Sequence, residues 1–191
     1  MHGPREIETK FRVADRGKLE GLLEALGARP GSPENEKNVL YDEPGGRLRA
    51  EGCALRVRTV NDRRGLLTFK GPPKIFEGIK SRLEWESEVE SPRAVAAILE
   101  SLGYRPAFRY DKVRTTFTFA EPARPVVVVD ETPLGLFAEI EGDDAAVRAL
   151  AKELGVAEAD FIAESYIALW LSARERDPSL PEDMLFVDGR R

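Results

Sequence analysis

Cysteine and histidine are nearly absent from this chain: Cys53 and His2 are the only examples in 191 residues. A single cysteine cannot close an internal disulfide, so no oxidising compartment is implied, and Cys53 reads as a free, packed thiol. One histidine at the terminus cannot build a zinc site of the His/Cys type, nor acid–base or triad chemistry resting on imidazole. Any metal bound here must therefore be a hard ion held by carboxylates, such as Mg²⁺, Mn²⁺ or Ca²⁺. No apolar run is long enough to span a bilayer, and the first residues show no signal-peptide pattern. Net positive charge is lacking as well. The formal net charge is −5, which argues against a general affinity for nucleic acid or an anionic membrane. The expectation is a soluble, cytoplasmic protein with neither as a partner.

What the chain does have is charge. Charged residues make up 33% and hydrophobic residues 42% of it, against a usual charged share of about a quarter. That leaves apolar material for one domain with a real core. The first strand, to about Val13, contains Glu6-Ile7-Glu8-Thr9-Lys10-Phe11. Alternation puts Glu6, Glu8 and Lys10 on one face and Ile7, Thr9 and Phe11 on the other. Asp15 then caps a helix with Leu19, Leu22, Leu23 and Leu26 on one face and Gly27 at its end. Residues 28–37 read as a polar turn region. Val39–Asp42 is a short strand, and Leu48 begins a brief return strand. Ala54–Val60 and Gly65–Lys70 form a hairpin, and residues 71–79 read as a mobile loop. Lys80–Glu90 is a long strand. Ser91-Pro92 opens a helix whose buried stripe is Val95, Ile98, Leu99 and Leu102. Strands follow at Arg109–Phe119, Pro125–Glu131 and Leu136–Glu141. One helix carries Val147, Leu150 and Leu154, and a final helix covers Ile162–Leu171. Trp85 and Trp170 read as core-facing. Gly71-Pro72-Pro73-Lys74 lacks the spacing of a phosphate-binding P-loop.

The charged faces recur from strand to strand. Arg56 and Arg58 share one, as do Thr68 and Lys70; Arg82, Glu84, Glu86 and Glu88; Lys112 and Arg114; and Glu139 and Glu141. Phe137 falls on the glutamate side of its strand. An open antiparallel sheet with its charged face in water would explain each strand singly. It would not explain the scarcity of Ser, Asn and Gln on that face, or the partial sorting by sign. A closed barrel with helices on its apolar outside explains both and leaves no open edge. Dry burial of so many charges is prohibitive. The interior must then hold water, counter-charges and a ligand, and basic residues with glutamates suit a metal–polyphosphate complex.

These residues resemble the CYTH superfamily, the triphosphate tunnel metalloenzymes. The Glu-x-Glu-x-Lys signature is met by Glu6, Glu8 and Lys10, and Leu-Arg-x-Arg by Leu55–Arg58. Lys70-Gly71 ends a strand, Arg82, Glu84 and Glu86 form Arg-x-Glu-x-Glu, and Lys112 and Arg114 form Lys-x-Arg. Asp130, Glu139-Ile140-Glu141 and Ser165-Tyr166 follow in order. The resemblance runs from Glu6 to Tyr166 and looks closest to proteins described as class IV adenylate cyclases. It implies an α+β fold: an eight-stranded antiparallel closed β-barrel, or tunnel, with a charged interior and helices outside. Residues 1–172 would form this domain and 173–191 an irregular tail. By the resemblance, Glu6, Glu8, Asp130, Glu139 and Glu141 would hold Mg²⁺ or Mn²⁺. Lys10, Arg56, Arg58, Lys70, Arg82 and Arg114 would bind the substrate, and Glu84 and Glu86 would line the tunnel. Catalytic roles would fall to Glu8, Glu141 and Lys112. For Arg82 and Glu88 a purely structural ion-pair role weighs as much.

Three functions fit this set. The first is a metal-dependent triphosphatase acting on tripolyphosphate, thiamine triphosphate or a nucleoside triphosphate. The second is an adenylate cyclase, in which the ribose 3′-hydroxyl of ATP attacks the α-phosphate. No distinct adenine-reading motif supports that role, which places it second. The third is a non-catalytic polyphosphate binder, which has no use for so many glutamates. The partner in each is a small-molecule triphosphate. The oligomeric state stays open, a homodimer included.

Overall fold

A computed structural model describes residues 4–187, so His2 and the last four residues of the expected tail lie outside the described residues. The elements run β1 (Arg5–Arg12), α1 (Arg16–Ala25), β2 (Arg29–Pro30), β3 (Glu34–Asp42), α2 (Arg47–Ala50), β4 (Ala54–Val60), β5 (Arg64–Lys70), β6 (Lys74–Phe76) and β7 (Ile79–Val89). They continue α3 (Pro92–Ser101), β8 (Arg105–Thr118), β9 (Val126–Thr132), β10 (Gly135–Glu141), α4 (Asp144–Glu153), a 3₁₀ turn (Glu158–Asp160) and α5 (Tyr166–Arg176).

Eight strands form an antiparallel ring in the order β1-β10-β9-β8-β3-β4-β5-β7, and a β1–β7 pairing closes it. β2 and β6 lie off the ring, on β8 and β7. The closing strand serves two neighbours in succession. Arg5–Glu8 pairs with Leu83–Lys80 of β7, and Glu8–Arg12 with Glu141–Phe137 of β10. Closure puts one face of every strand inside, so the residue period of two becomes a division between interior and exterior.

The exterior is the apolar side. α1 and α4 cover Phe11, Phe117, Val127, Val129, Ala138 and Ile140 with Leu19, Leu23, Val147 and Leu150. α3 covers Val57, Leu55 and Leu67 with Leu99 and Val95. Asp15 caps α1 by accepting from the Lys18 N–H at 3.0 Å, and Ser91 caps α3 by accepting from the Ala94 N–H at 3.2 Å. Such a cap contributes about 1 kcal/mol. Among the described residues no helix is long and apolar enough to cross a membrane.

The interior has an apolar end. Phe108 and Tyr110 of β8 and Phe137 of β10 share their strands' inward faces with Lys112 and Glu139. They pack against Tyr166 and Trp170 of α5 and against Met184. The chain around Met184 docks on β8: the Asp111 N–H donates to the Met184 carbonyl at 3.0 Å and the Met184 N–H to the Arg109 carbonyl at 2.9 Å. The position of Phe137 on the glutamate side thereby has its reason, since it belongs to the closed end.

Several sequence expectations need correction. Residues 28–37 are not all turn, because β3 begins at Glu34 and β2 precedes it. Both faces of β3's first half are polar, so it carries no alternating apolar signal. Leu48 starts no strand. It lies in α2, where the Asp42 carboxylate accepts from the N–H groups of Glu43, Leu48 and Arg49 and so fixes a helical start. Residues 71–79 form no free loop. Pro72 and Pro73 cannot donate to a ladder and interrupt the strand, and β6 then resumes alongside β7. The tip of this hairpin is seated against the core: Gly78 has φ +77°, and a Cβ there would lie 2.6 Å from the Phe161 Cβ. β8 starts at Arg105 rather than Arg109. The last helix starts at Tyr166 rather than Ile162 and runs on to Arg176. Leu22, Ile98 (58%) and Leu102 (69%) are exposed and not part of the buried stripes. A 10-residue helix on a curved barrel wall buries a narrower stripe than apolar periodicity suggests. Trp170 is buried, but Trp85 is half exposed, one strand beyond those that α3 covers.

Candidate functional site

The interior brings together acids and bases from strands distant in sequence. Their cross-strand register does the placing. Glu8 lies opposite Glu141, Lys10 opposite Glu139, Glu6 opposite Arg82, Lys70 opposite Glu84, Thr68 opposite Glu86, and Arg114 opposite Asp130. Every residue expected at the site lies at least partly buried in this interior except Glu86 and Glu88, which are exposed.

Two regions differ in how their charges are matched. Toward the apolar end each acid has bases at close range. Asp130 accepts from Lys112 Nζ at 2.9 Å, from Arg114 Nε and Nη2 at 2.7 Å, and from the Tyr166 hydroxyl at 2.9 Å. Glu139 pairs with Lys10 at 2.8 Å and Arg114 at 2.6 Å. Glu36 pairs with Arg58 at 3.0 Å and Lys112 at 3.4 Å, and Arg58 Nε donates to Asn38 Oδ1 at 2.9 Å. Burial pushes the Asp130 carboxyl up, but Arg114 and Lys112 outweigh it and hold the group at about 2. Glu139 is likewise held well below the usual carboxylate range: Lys10 and Arg114 overcome its burial. These are satisfied ion pairs, and removing one partner of such a pair is strongly destabilising.

In the other region each acid has a single close base: Glu6 has Lys70, which it shares with Glu84, Glu8 has Lys80, and Glu141 has Arg114, which also serves Asp130 and Glu139. One carboxylate oxygen each of Glu6, Glu8 and Glu141 lies within 4.8 Å of the other two. Burial raises the Glu141 carboxyl to about 7; Arg114, 3.7 Å away, offsets this only in part, and Glu139, Glu8 and Glu6 push the same way as burial. Burial raises Glu6 too, against the pull of Lys70. Three converging carboxylates, two of whose bases are shared with other acids, form an all-oxygen donor set for a hard divalent cation. The residues present therefore fit the metal that the sequence implies. Of the residues expected to hold the metal, Glu6, Glu8 and Glu141 converge, whereas Asp130 and Glu139 are engaged by Lys112, Arg114 and Lys10.

The basic side chains near the trio have different degrees of freedom. Lys70 Nζ holds Glu6 at 2.7 Å and Glu84 at 2.9 Å. Arg56 reaches Thr68 Oγ1 at 3.2 Å, the Tyr110 hydroxyl at 3.3 Å and Glu86 at 3.4 Å, and its buried Nε has no hydrogen-bond partner among the described residues. Arg82 donates to the backbone carbonyls of Gly71 at 3.0 Å and Gly52 at 3.3 Å. Lys112, expected to be catalytic, lies between Asp130 and Glu36 among the satisfied pairs. Sequence reasoning did not select Glu36, Asn38, Tyr110 or Lys80. Glu36 and Asn38 sit where no apolar alternation marks a strand. Lys80 shares the parity of Arg82 and Glu84, and that signal was available.

A closed barrel whose interior pairs arginines and lysines with a convergent carboxylate trio defines a triphosphate tunnel protein. The chain belongs to the CYTH domain family, whose model matches residues 4–166. Members of this family are in general metal-dependent enzymes acting on triphosphates. No curated protein matches the chain. Solved structures do. A Vibrio parahaemolyticus protein described as a candidate adenylate cyclase is 22% identical with TM-score 0.76, covering 89% of this chain and 99% of its own. A Pyrococcus horikoshii protein is 27% identical with TM-score 0.72, covering 88% and 99%. A Hippeastrum protein, described as an adenylyl cyclase candidate with a dominant triphosphatase activity, is 20% identical with TM-score 0.65, covering 88% and 96%.

Proposed function

We propose that this protein is a divalent-metal-dependent triphosphatase. The observation that carries the reading is the trio Glu6, Glu8 and Glu141, drawn together inside the same barrel as Lys70, Arg56 and Arg114. A polyphosphate alone would be repelled by the trio, and a cation alone would be repelled by the bases. Together they neutralise both. Glu6, Glu8 and Glu141 would hold Mg²⁺ or Mn²⁺, which when bound supplies charge to polarise phosphoryl oxygens and acidify an attacking water.

The chain's own residues then divide the work. Arg56, with one N–H unpartnered, and Lys70 and Arg114 present donors to phosphate oxygens and stabilise the charge of the transition state. Glu84 and Glu86 aim Lys70 and Arg56. Asp130, Glu139 and Glu36 hold Lys112, Lys10, Arg58 and Arg114 in place and set the shape of the tunnel. Arg82 acts as a strap on the backbone. The triphosphatase activity described for the Hippeastrum protein agrees with this order of hypotheses, although that likeness by itself speaks for the fold.

The test is a panel of tripolyphosphate, thiamine triphosphate and ATP, each with Mg²⁺ or Mn²⁺, with products identified by mass. Loss of one terminal phosphate is expected. Cyclic AMP and pyrophosphate from ATP would replace this reading with cyclisation. Tight binding without turnover of any of the three would leave a polyphosphate binder.

A further inference from the structure

β7 turns two basic side chains into the barrel, Lys80 and Arg82, two residues apart on one face. The sequence pattern points to Arg82. The geometry points to the other. Arg82's guanidinium is fastened to the carbonyls of Gly71 and Gly52, and it closes the gap that Pro72 and Pro73 leave in the strand beside it. Lys80 has no such duty. It stands directly across from Glu8 in the β1–β7 ladder, is buried, and has its ammonium against the Glu8 carboxylate. Glu8 is the one residue of β1 paired on both sides, with Lys80 of β7 on one and Glu141 of β10 on the other.

We propose that Lys80 is a substrate-binding residue, which occupies Glu8 while the metal is absent and turns to a phosphate oxygen when the metal takes Glu8. The inference rests on the triphosphatase reading and adds a residue to its site. Its physical basis is charge. The trio carries up to three negative charges, and in the metal-free protein two ammonium groups, Lys70 and Lys80, answer them. A divalent cation brings two positive charges to the same oxygens, so cation and ammoniums compete. Once displaced, Lys70 still has Glu84 at 2.9 Å. Lys80 has nothing, because among the described residues Glu8 is its only ion-pair partner. A buried ammonium without a counter-ion is costly, and the anion that arrives with the metal is the polyphosphate. A lysine on its flexible stem can make that turn; a guanidinium pinned at two carbonyls cannot.

The other interior lysines differ in kind. Lys10 is matched by Glu139 and Lys112 by Asp130 and Glu36, none of them in the trio, so metal binding releases neither.

The experiment is calorimetric titration of the full chain, first with Mg²⁺ alone, then with a bis-methylene triphosphate in saturating Mg²⁺, its bridging carbons blocking hydrolysis. In Lys80→Met the Mg²⁺ affinity should rise several-fold, because a competitor is gone. The affinity for the analogue should fall by roughly 10-fold or more, the loss of one charge-assisted hydrogen bond. A merely structural lysine would not move the two affinities in opposite directions. Lys80→Gln carries the same two expectations if the methionine variant does not fold. An analogue affinity unchanged from wild type, or both affinities falling together, overturns the role of Lys80 while leaving the triphosphatase reading intact. Wild-type protein that binds neither Mg²⁺ nor the analogue overturns that reading, and this inference with it.

Discussion

Glu8 and Glu141 stand directly opposite each other in the β1–β10 ladder, two carboxylates facing across one strand pair inside a closed barrel. Like charges so placed destabilise a sheet. The arrangement makes sense for a site that receives a cation and is a liability without one. Glu141→Gln should therefore stabilise the metal-free protein at pH 8 while abolishing most activity. The expected gain is on the order of 1 kcal/mol, or roughly 2–4 °C in Tm. Turnover should fall on the order of 100-fold, the scale of losing a group that stabilises the transition state. Melting curves and initial rates check the two halves. Wild-type rates in this variant would remove Glu141 from the site.

Divalent metal should raise thermal stability through the same trio. At 100 times its Kd a ligand adds about 2.7 kcal/mol, which corresponds to a Tm increase of roughly 5–10 °C for a chain of this size. EDTA should reverse the shift, and Glu6→Gln or Glu8→Gln should shrink it. A melting temperature indifferent to Mg²⁺ and Mn²⁺ would count against the trio as a metal centre.

The satisfied end of the tunnel predicts an acid transition. Asp130 is held at about 2 by Arg114 and Lys112 against its own burial, below the ordinary value of 3.8. Its folded-state pKa is depressed, so its contribution is fully present above about pH 4 and is lost as pH falls through about 2. The amount is on the order of 2 kcal/mol. Wild type and Asp130→Asn should differ in Tm at pH 6, and the gap should narrow toward pH 2.5. A gap independent of pH would mean that the carboxylate charge is not what stabilises the fold there.

Tyr166 joins the closing helix to that network, with its hydroxyl on Asp130 at 2.9 Å and its ring edge-on to Phe137. Tyr166→Phe keeps the ring and loses one hydrogen bond to a charged group, a cost of about 1.5 kcal/mol or more. Tm should drop by roughly 3–6 °C, while KM for the triphosphate substrate stays unchanged. A raised KM at unchanged Tm would instead place the hydroxyl in contact with substrate.

Much of this was legible from alternation alone. Glu6, Glu8 and Lys10 share a face in any extended strand, and so do Arg56 and Arg58, or Glu139 and Glu141. The capping of α1 by Asp15 and of α3 by Ser91 is equally local, and both appear where expected. Local signals failed where both faces of a strand are polar, as in β3, which hid Glu36 and Asn38. They failed again where a short helix lies on a curved wall, so that Ile98 and Leu102 stay in water. Phe137 looked like a flaw in the pattern because the apolar plug it meets comes from Tyr166, Trp170 and Met184, far along the chain.

By itself the sequence determined which side chains could share an interior, because the two faces of a strand follow from backbone geometry and need no partner. Which acid meets which base was decided only by the tertiary structure. Asp130 and Glu141 are both carboxylates on charged strand faces, yet one lies between Arg114 and Lys112 at about 2 and the other beside two glutamates at about 7. The difference comes from ladder register between segments more than a hundred residues apart, such as β1 on β10. Register depends on how the whole ring closes, and no local window of the chain contains it.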